Sequence, residues 1–222
     1  MDNNNFLIEL HAHTSQTSAC SHISAEDLVA SYQQAGYSGI LITDHYVDYN
    51  YGNIEKFLAG YRAAKACGDK TGFKVYLGME LRMDYMLNDF ILIGLTEEFL
   101  AEHSDLYQMP MEDLKRLLNS SGILIIQAHP FRDGMIRMNA DQVNGFEVYN
   151  GAVWFENRNE KAEEYCEQLG GLPTSGSDCH RDFQMCRGGI ACSILPEDAG
   201  ALAEFISKKK YKIIKTEETE EV

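Results

Sequence analysis

The chain carries near its start the stretch Phe6-Leu7-Ile8-Glu9-Leu10-His11-Ala12-His13. The largely apolar run from Phe6 to Leu10 is typical of a buried β-strand. His11 and His13 follow that run, and side chains two residues apart on an extended strand end point to the same side. Two imidazoles placed in this way can bind one metal ion. The stretch therefore predicts an inner strand with a candidate metal site at its carboxyl end.

Strands and helices alternate along the rest of the chain. Further strands are predicted at 39–43, 73–79, 89–95, 123–127, 146–149 and 172–175. Helices are predicted at 24–36, where Ser24 and Asp27 resemble a capping arrangement, at 53–67, from Pro110 onward and at 155–169. Such alternation predicts an α/β fold in which helices cover a parallel sheet. Seven or eight units in about 215 residues fit a closed or nearly closed barrel, and an open doubly wound sheet is the alternative.

The chain is strongly acidic. Its 222 residues include 34 Asp and Glu against 19 Lys and Arg, which gives a formal net charge of −15. Binding to extended nucleic acid or to an anionic membrane normally depends on an excess of Lys and Arg, so neither is expected. No apolar run approaches the roughly 18 residues that a membrane span needs, and no secretory leader is apparent. We therefore expect a cytoplasmic protein, whose anionic substrate would need a local positive centre.

The six cysteines form no Cys-x-x-Cys pair and no framework typical of secreted proteins. They are Cys20, Cys67, Cys166, Cys179, Cys186 and Cys192. Reduced and mostly packed thiols are expected, and a cysteine-based zinc site is not. Because 45% of the residues are hydrophobic and no repeat or linker interrupts them, residues 1–222 are predicted to form one domain, with an acidic tail at 215–222.

Polar side chains also follow the other predicted strands. They are Asp44 and His45 after the second strand, Glu80 after the third, His129 after the fifth, and Asp178 and His180 after the seventh. The carboxyl ends of barrel strands converge on one mouth, where sites are assembled. An unpaired His129 would be costly to bury at the end of an apolar strand, so a ligand role explains it best. The sequence therefore predicts a metal centre at the mouth of the barrel.

Five motifs, in order, resemble the signatures of the PHP (polymerase and histidinol phosphatase) family. They are Leu10-His11-Ala12-His13-Thr14, Thr43-Asp44-His45, Gly78-Met79-Glu80, Ala128-His129-Pro130 and Gly176-Ser177-Asp178-Cys179-His180. The resemblance runs from about residue 7 to residue 195. It implies a distorted seven-stranded (β/α)7 barrel with two or three zinc, manganese or iron ions at its mouth, used chiefly to hydrolyse phosphoesters.

The resemblance also implies which side chains of these motifs bind each metal ion. It places His11, His13, Glu80 and Asp178 in one metal site, Glu80 and His129 in a second, and His45 and His180 in a third. In this arrangement Glu80 bridges the first two sites.

Two positions depart from the family pattern. Ser18 and Ala19 stand where many members have a histidine or aspartate. Ile91 stands where many members have a further histidine, and Asp89 is the nearest candidate to replace it. We therefore expect the third site to be weak, with His22 as the side chain that could swing in to complete it.

The predicted function is hydrolysis of a small phosphomonoester or phosphodiester by a metal-activated water. The expected catalytic residues are Asp44, Glu80 and Asp178. Arg132 and Arg187 are the expected substrate-binding residues, because the guanidinium fork suits phosphate oxygens. The alternatives are an amidohydrolase-like metal hydrolase and a nonenzymatic metal-binding regulatory module. The sequence identifies neither the substrate nor the oligomeric state.

Overall fold

Residues 6–216, the part of the chain that the computed structural model describes, contain ten β-strands in one sheet. The strands are β1 Phe6–Ala12, β2 Gly39–Ile42, β3 His45–Tyr46, β4 Lys74–Arg82, β5 Asp89–Ile93, β6 Leu124–Gln127, β7 Gly145–Asn150, β8 Leu172–Gly176, β9 Ile190–Cys192 and β10 Tyr211–Ile213. Neighbouring strands follow the order β1, β2, β4, β5, β6, β7 and β8, while β9 and β10 extend the sheet beyond β1 and β3 pairs with β4.

The sheet closes into a barrel between β8 and β1. The N–H of Asp178 donates to the carbonyl of His11 at 2.8 Å, and the N–H of His13 donates to the carbonyl of Cys179 at 3.3 Å. The predicted barrel is therefore confirmed as a nearly closed α/β structure. Three short strands, β3, β9 and β10, add to the seven that were predicted to form it.

The direction of β5 differs from the prediction of a wholly parallel sheet. β5 is antiparallel to both β4 and β6, whereas the β1–β2, β2–β4, β6–β7 and β7–β8 pairs are parallel. Only residues 83–88 connect β4 to β5, and a parallel crossover needs a dozen residues or more. The short connection therefore turns β5 back as a hairpin.

Helices cover the outside of the barrel. They are α1 Ala25–Gln34, α2 Ile54–Phe57, α3 Ala59–Thr71, α4 Glu97–Glu102, α5 Met111–Ser120, α6 Asn159–Leu169 and α7 Ala199–Ser207, with 3-10 helices at Leu106–Gln108 and Asp182–Gln184. The predicted cap of α1 is confirmed, because the Ser24 hydroxyl accepts from the N–H of Asp27 at 3.1 Å. The start of α6 at residue 155 was wrong. Arg158 has a left-handed backbone, φ 52°, which delays the helix to Asn159.

The side chain of Ile91 on β5 belongs to the apolar core. Ile91 packs in a core cluster with Ile126 of β6 and Leu202 of α7, and it is 2% exposed. Asp89, two residues earlier at the start of β5, is the residue of this strand that lies with Glu80 and His129. Among the described residues, every helix is too short or too polar to cross a lipid bilayer.

The predicted acidic tail at 215–222 falls largely outside the described residues. Its first two residues are held against the barrel. The Lys215 ammonium pairs with Glu163 of α6 at 2.6 Å, and the N–H of Thr216 donates to the carbonyl of Arg187 at 3.3 Å. The single-domain organisation of residues 1–222 stays a prediction.

Candidate metal centre

Three groups of potential metal ligands meet at the barrel mouth. In each group the ligand atoms lie within 4.8 Å of one another. The groups are His11, His13 and Asp178; Glu80, Asp89 and His129; and His13, His45 and His180. Every residue predicted as a ligand falls in one of these groups, and Asp89 joins them. Their role as ligands stays a prediction.

Glu80 occupies the centre of the cluster. Its Oε1 lies 3.3 Å from His11 Nε2 and 3.2 Å from His129 Nε2. Its Oε2 lies 3.4 Å from His13 Nε2 and 2.7 Å from His45 Nδ1. The pairing of His45 with Glu80 in the β3–β4 register places these two side chains beside each other. A carboxylate with imidazoles on both oxygens has the geometry of a bridging ligand.

The centre holds buried lone pairs that lack hydrogen bonds. Within residues 6–216, five of the six buried side-chain polar atoms that make no well-directed hydrogen bond belong to this cluster. They are His11 Nε2, His13 Nε2, His45 Nδ1, His129 Nδ1 and Glu80 Oε2. Buried polar atoms are nearly always satisfied, because leaving one unpaired costs about 1–3 kcal/mol. Of these atoms, the nitrogens of His11, His13 and His45 face Glu80, and such a cluster of nitrogen and oxygen donors fits a divalent transition-metal ion.

Glu147 of β7 orients the imidazole of His11 and holds the backbone of His129. The Nδ1–H of His11 donates to Glu147 Oε1 at 2.8 Å, so that His11 Nε2 faces the cluster. Glu147 Oε2 accepts from the N–H of His129 at 3.0 Å and from the Asn150 amide at 2.8 Å. Carboxylates that fix a ligating histidine in this way raise its affinity for metal. Sequence reasoning missed Glu147, although a charged residue between the apolar neighbours Phe146 and Val148 was a usable signal.

Glu9 of β1 is the second buried carboxylate that the sequence did not single out. Its Oε1 accepts from the N–H groups of His11 and Ser177, both at 2.9 Å. Its Oε2 accepts from the hydroxyls of Ser177 and Tyr32, the latter at 2.7 Å. Glu9 therefore ties the end of β1 to the turn that carries Asp178. Burial raises the pKa of Glu9, although these hydrogen bonds act in the opposite direction.

Asp44 lies behind the ligands and contacts the loop after β1. Its carboxylate accepts from the N–H of Thr14 at 2.7 Å, the Thr14 hydroxyl at 2.6 Å and the Ser18 hydroxyl at 2.6 Å. The same Ser18 oxygen lies 3.3 Å from His13 Nδ1 and accepts from the N–H of His45 at 3.0 Å. Asp44, which was predicted to be catalytic, therefore binds Ser18, and Ser18 in turn contacts His13 and His45. In this position Asp44 orients the two histidines indirectly. Burial raises the pKa of Asp44 to about 6.

The charges in the centre stabilise one another. Burial disfavours ionised Glu80 and Asp178, but the nearby imidazoles, led by His45 for Glu80 and His11 for Asp178, hold both pKa values well below their usual range. Burial lowers the pKa of His13, and the neighbouring His180 and His45 lower it further. These shifts favour ionised Glu80 and Asp178 and neutral His13, the forms in which these three side chains bind metal, while the same carboxylates raise the pKa of His11 and His45.

Residues 9–208 match the family model described as the PHP domain. The chain belongs to the PHP domain family.

Solved structures share the fold of this PHP domain at low sequence identity. A two-domain protein from Bacteroides vulgatus, which contains a predicted PHP-like metal-dependent phosphoesterase, aligns with a TM-score of 0.72 and 16% identity, over 97% of this chain and 66% of that one. PsfC from Pseudomonas syringae aligns with a TM-score of 0.67 and 16% identity, over 96% and 93%. An amidohydrolase from Chromobacterium violaceum aligns with a TM-score of 0.59 and 14% identity, over 92% and 97%.

Curated relatives match only part of this PHP domain. The PolC-type DNA polymerase III of Streptococcus mutans is 37% identical over 76 residues, which is 34% of this chain. That of Streptococcus suis is 38% identical over 73 residues, or 33% of this chain. The chain spans 4% of the length of these relatives.

The predicted arginines of this PHP domain lie in different places. Arg132 donates to Asp178 Oδ2 at 2.7 Å and to Asn157 Oδ1 at 2.9 Å, and its guanidinium lies 4.2 Å from the ring centre of Phe155. It borders a cavity of about 560 Å³ that opens over the ligand groups. Arg187 instead lines a neighbouring cavity, and its Nε–H donates to the carbonyl of Phe183. Of the two predicted arginines, Arg132 reaches the metal centre and Arg187 does not.

Two further arginines line the cavity over the metal centre and were missed from the sequence. Arg82 makes two hydrogen bonds of 2.8 Å to the carboxylate of Asp89. Arg181 is exposed and has no ion pair with any residue in the range 6–216. Because Arg82 and Arg132 already bind carboxylates, Arg181 is the cavity arginine whose guanidinium is available to an incoming anion.

One side of this cavity is aromatic. Trp154, Phe155 and Phe183 line it with 60%, 53% and 51% of their side chains exposed. The rings of Trp154 and Phe183 meet edge to face, with their centres 4.9 Å apart. We call these three residues the aromatic rim.

His22 does not enter the metal centre. It is exposed, and its backbone N–H donates to the carbonyl of His180 at 2.9 Å. The residue of this loop that lines the cavity with His180 and His45 is the exposed Cys20. Burial would raise the pKa of Cys20, but hydrogen bonds to these two rings lower it to about 6.

Proposed function

We propose that this PHP domain is a metal-dependent phosphoesterase that hydrolyses a small phosphomonoester or phosphodiester. The observation that carries the proposal is the position of Glu80, with imidazoles against both carboxylate oxygens. Glu80 would hold ions in both neighbouring groups of ligands, where they could act on one phosphoryl group. The PHP-like phosphoesterase from Bacteroides vulgatus is compatible with this reaction at the level of the fold.

The donor atoms suggest which residues would hold each ion. His11, His13, Asp178 and Glu80 form one set, and Glu80, Asp89 and His129 form the next. Nitrogen and oxygen donors together suit zinc, manganese or iron. When bound, such ions polarise phosphoryl oxygens and lower the pKa of a coordinated water toward neutrality.

The side chains around the ligands would position the substrate. Asp178 is held by Arg132 and by the Asn150 amide, which donates to Asp178 Oδ2 at 3.1 Å. Arg181 would bind non-bridging phosphate oxygens through its planar guanidinium. The positive groups at the mouth would thereby attract a phosphoester to a chain with a net charge of −15.

The aromatic rim would contact the organic part of the substrate. Exposed aromatic rings beside a polar site offer a flat apolar surface, which suits the stacking of a planar group. The cavity of about 560 Å³ suits a small molecule. We therefore expect small phosphoesters with a ring to be better substrates than open-chain ones.

The six free cysteines favour a cytoplasmic location, where thiols stay reduced.

A panel of phosphomonoesters and phosphodiesters, assayed with added manganese or zinc, tests the proposal. We expect metal-dependent release of phosphate or alcohol that Glu80→Gln abolishes, while Glu167→Gln, an exposed change on α6, retains it. A panel with no hydrolysis despite bound metal would contradict the phosphoesterase and favour a regulatory metal-binding module.

An amidohydrolase-like reaction is the second candidate, because the Chromobacterium violaceum amidohydrolase shares the fold. The same metal-loaded protein is assayed against amides and lactones. Hydrolysis of these, with phosphoesters untouched, would support this alternative.

A further inference from the structure

A second cavity, of about 480 Å³, adjoins the first cavity, of about 560 Å³, which opens over the metal centre. The two cavities share three lining residues, Cys20, His45 and Arg82. The aromatic rim lines the first of these two cavities and not the second. Two spaces with different linings therefore meet at the three shared residues.

The place where the cavities meet lies at the metal centre. His45 Nδ1 is 2.7 Å from Glu80 Oε2. Arg82 makes two hydrogen bonds of 2.8 Å to the carboxylate of Asp89, which forms one ligand group with Glu80 and His129. A phosphoryl group bound at this centre would therefore have open space on two sides.

The lining of the second cavity is largely apolar and held in place. Its aromatic and aliphatic side chains are those of Val47, Tyr49, Tyr51, Met83, Met86 and Leu87. The ring of Tyr51 stacks on that of Tyr107 with their centres 3.8 Å apart, and its hydroxyl donates to the carbonyl of Arg82 at 2.6 Å. The hydroxyl of Tyr49 accepts from the N–H of Ala19 at 3.2 Å. A preformed, mainly apolar cavity of this kind suits an organic group.

The charges in the second cavity disfavour another anion. Asp48 and Asp84 line the cavity and are exposed, while Arg82 is already paired with Asp89. A second phosphate or a carboxylate in this cavity would be repelled by two carboxylates. An uncharged organic group therefore fits here, and an oligonucleotide arm with further phosphates does not.

We propose that the substrate is a small phosphodiester with one organic group on the aromatic rim and an uncharged one in the second cavity. A phosphomonoester has a single organic group and would leave one cavity to water, whereas a diester fills both. Water would add its oxygen to phosphorus as one ester P–O bond breaks. The alcohol would take one proton of that water, and the phosphomonoester the other. The proposal rests on the proposed function and narrows its substrate class.

Two phosphinates that cannot be hydrolysed test the proposal. Dibenzylphosphinate and benzyl(methyl)phosphinate carry the same single negative charge and differ only in the second organic group. Isothermal titration calorimetry with the manganese-loaded full chain measures both affinities. We expect dibenzylphosphinate to bind at least roughly fivefold more tightly, because its second ring would be buried in the second cavity.

Substitutions in the second cavity should act on the larger ligand alone. In Met86→Gln/Leu87→Asn, which makes the cavity more polar, we expect dibenzylphosphinate to lose at least about threefold in affinity and the methyl compound less than about twofold. Leu87 is 64% exposed, so Leu87→Asn alone replaces the double variant if Met86→Gln impairs folding. The matched control is Ile194→Asn, at a residue that is also 64% exposed and lies outside both cavities.

Equal affinities for the two phosphinates, or a failure of both to bind, would overturn the proposal. The same loss for both ligands in the double variant would also overturn it. Because neither phosphinate reacts, these results do not depend on turnover. A chain that prefers dibenzylphosphinate through the second cavity but hydrolyses no phosphoester would contradict the proposed function while supporting a ligand with two organic groups.

Discussion

Single hydrogen bonds to the candidate ligands set the orientation of their side chains in the metal centre. Glu147 holds the His11 ring by one oxygen and the backbone of His129 by the other. An amide at this position could accept from only one of these two donors, and its NH₂ group would face the other. The carboxylate therefore fits this place better than any neutral analogue of the same shape.

We predict that Glu147→Gln weakens metal binding by roughly 10- to 100-fold, because the orientation of His11 and the loop of His129 are both disturbed. Competition with a chromogenic chelator measures the affinity. Glu167→Gln, which removes an exposed carboxylate of α6, should leave the affinity unchanged. Equal affinities for the two variants would refute the orienting role of Glu147.

Arg181 and Arg187 provide a second comparison between single residues. We predict that Arg181→Ala raises the KM for a phosphoester about tenfold with a smaller effect on kcat, since it removes a charge-assisted contact to the bound phosphate. Arg187→Ala should change KM less than twofold, because Arg187 lines a different cavity. The opposite ranking would restore the sequence-based assignment of Arg187 to the substrate.

At the scale of elements, helix α3 supports the metal centre through a glycine. A Cβ atom at Gly60 would lie within 2.3 Å of the Asp44 carboxylate and still closer to the Thr14 hydroxyl. The helix therefore approaches the hydrogen bonds that position Ser18 and His13. No larger residue fits without displacing them.

We predict that Gly60→Ala lowers the free energy of unfolding by about 1–3 kcal/mol and also weakens metal binding. Gly200→Ala in α7 is the matched control, because its Cβ would meet only Asp198 Oδ1 at 3.4 Å. The control should be neutral or more stable by up to about 1 kcal/mol, as expected for a helical glycine replaced by alanine. Chemical denaturation measures both, and a Gly60→Ala protein as stable as the control would contradict this view of α3.

Helix α5 carries a buried cation without a partner. The Nζ atom of Lys115 makes no hydrogen bond to the described residues, and the side chain is 8% exposed. Burial lowers the pKa of Lys115 from 10.5 to about 8. Between these two values the unfolded chain binds the proton and the folded chain does not, so stability from this group rises with pH across that window.

We therefore predict that Lys115→Met is more stable than the unmodified protein at pH 7, by about 1–3 kcal/mol, because the charge is no longer buried. The advantage should shrink as the pH rises from about 8 toward 10.5, where Lys115 is neutral in both states. Lys70→Met, an exposed change in α3, serves as the control. Denaturation midpoints at pH 7 and 10 that change in parallel for all three proteins would contradict the prediction.

At the scale of the whole molecule, the ligands come from strands spread over the full barrel. His11 lies near the end of β1, Glu80 lies in β4, His129 follows β6 and Asp178 follows β8. We predict that manganese or zinc raises the melting temperature of the chelator-treated protein, since an ion that binds only the folded state stabilises it by mass action. Glu80→Gln should show a much smaller shift in differential scanning fluorimetry. Equal shifts for both proteins would place the bound ion elsewhere.

Much of the barrel and its ligand groups could be predicted because the signals are local. His11, His129 and Asp178 each follow an apolar strand directly, and strand ends converge in this class of fold. Glu147 and Glu9 were missed because a charged residue in an apolar strand indicates that it has partners but not which other strands supply them. The direction of β5 was missed because an apolar run has the same appearance in parallel and antiparallel sheets. Arg181 and Cys20 lie in loops, whose course depends on contacts far along the chain.

The closure of the barrel has a consequence for synthesis and folding. The hydrogen bond from Asp178 to His11 joins β8 to β1, which are far apart in the sequence. The barrel therefore closes only after most of the polypeptide is available. Contacts between distant residues form late, because a long loop must first be closed. A nascent chain that ends before β8 has His11 and His13 but not Asp178. Metal binding by all the expected ligands would therefore require the closed barrel. Hydrogen–deuterium exchange at the amides of Asp178 and His13 would report when β8 and β1 have joined.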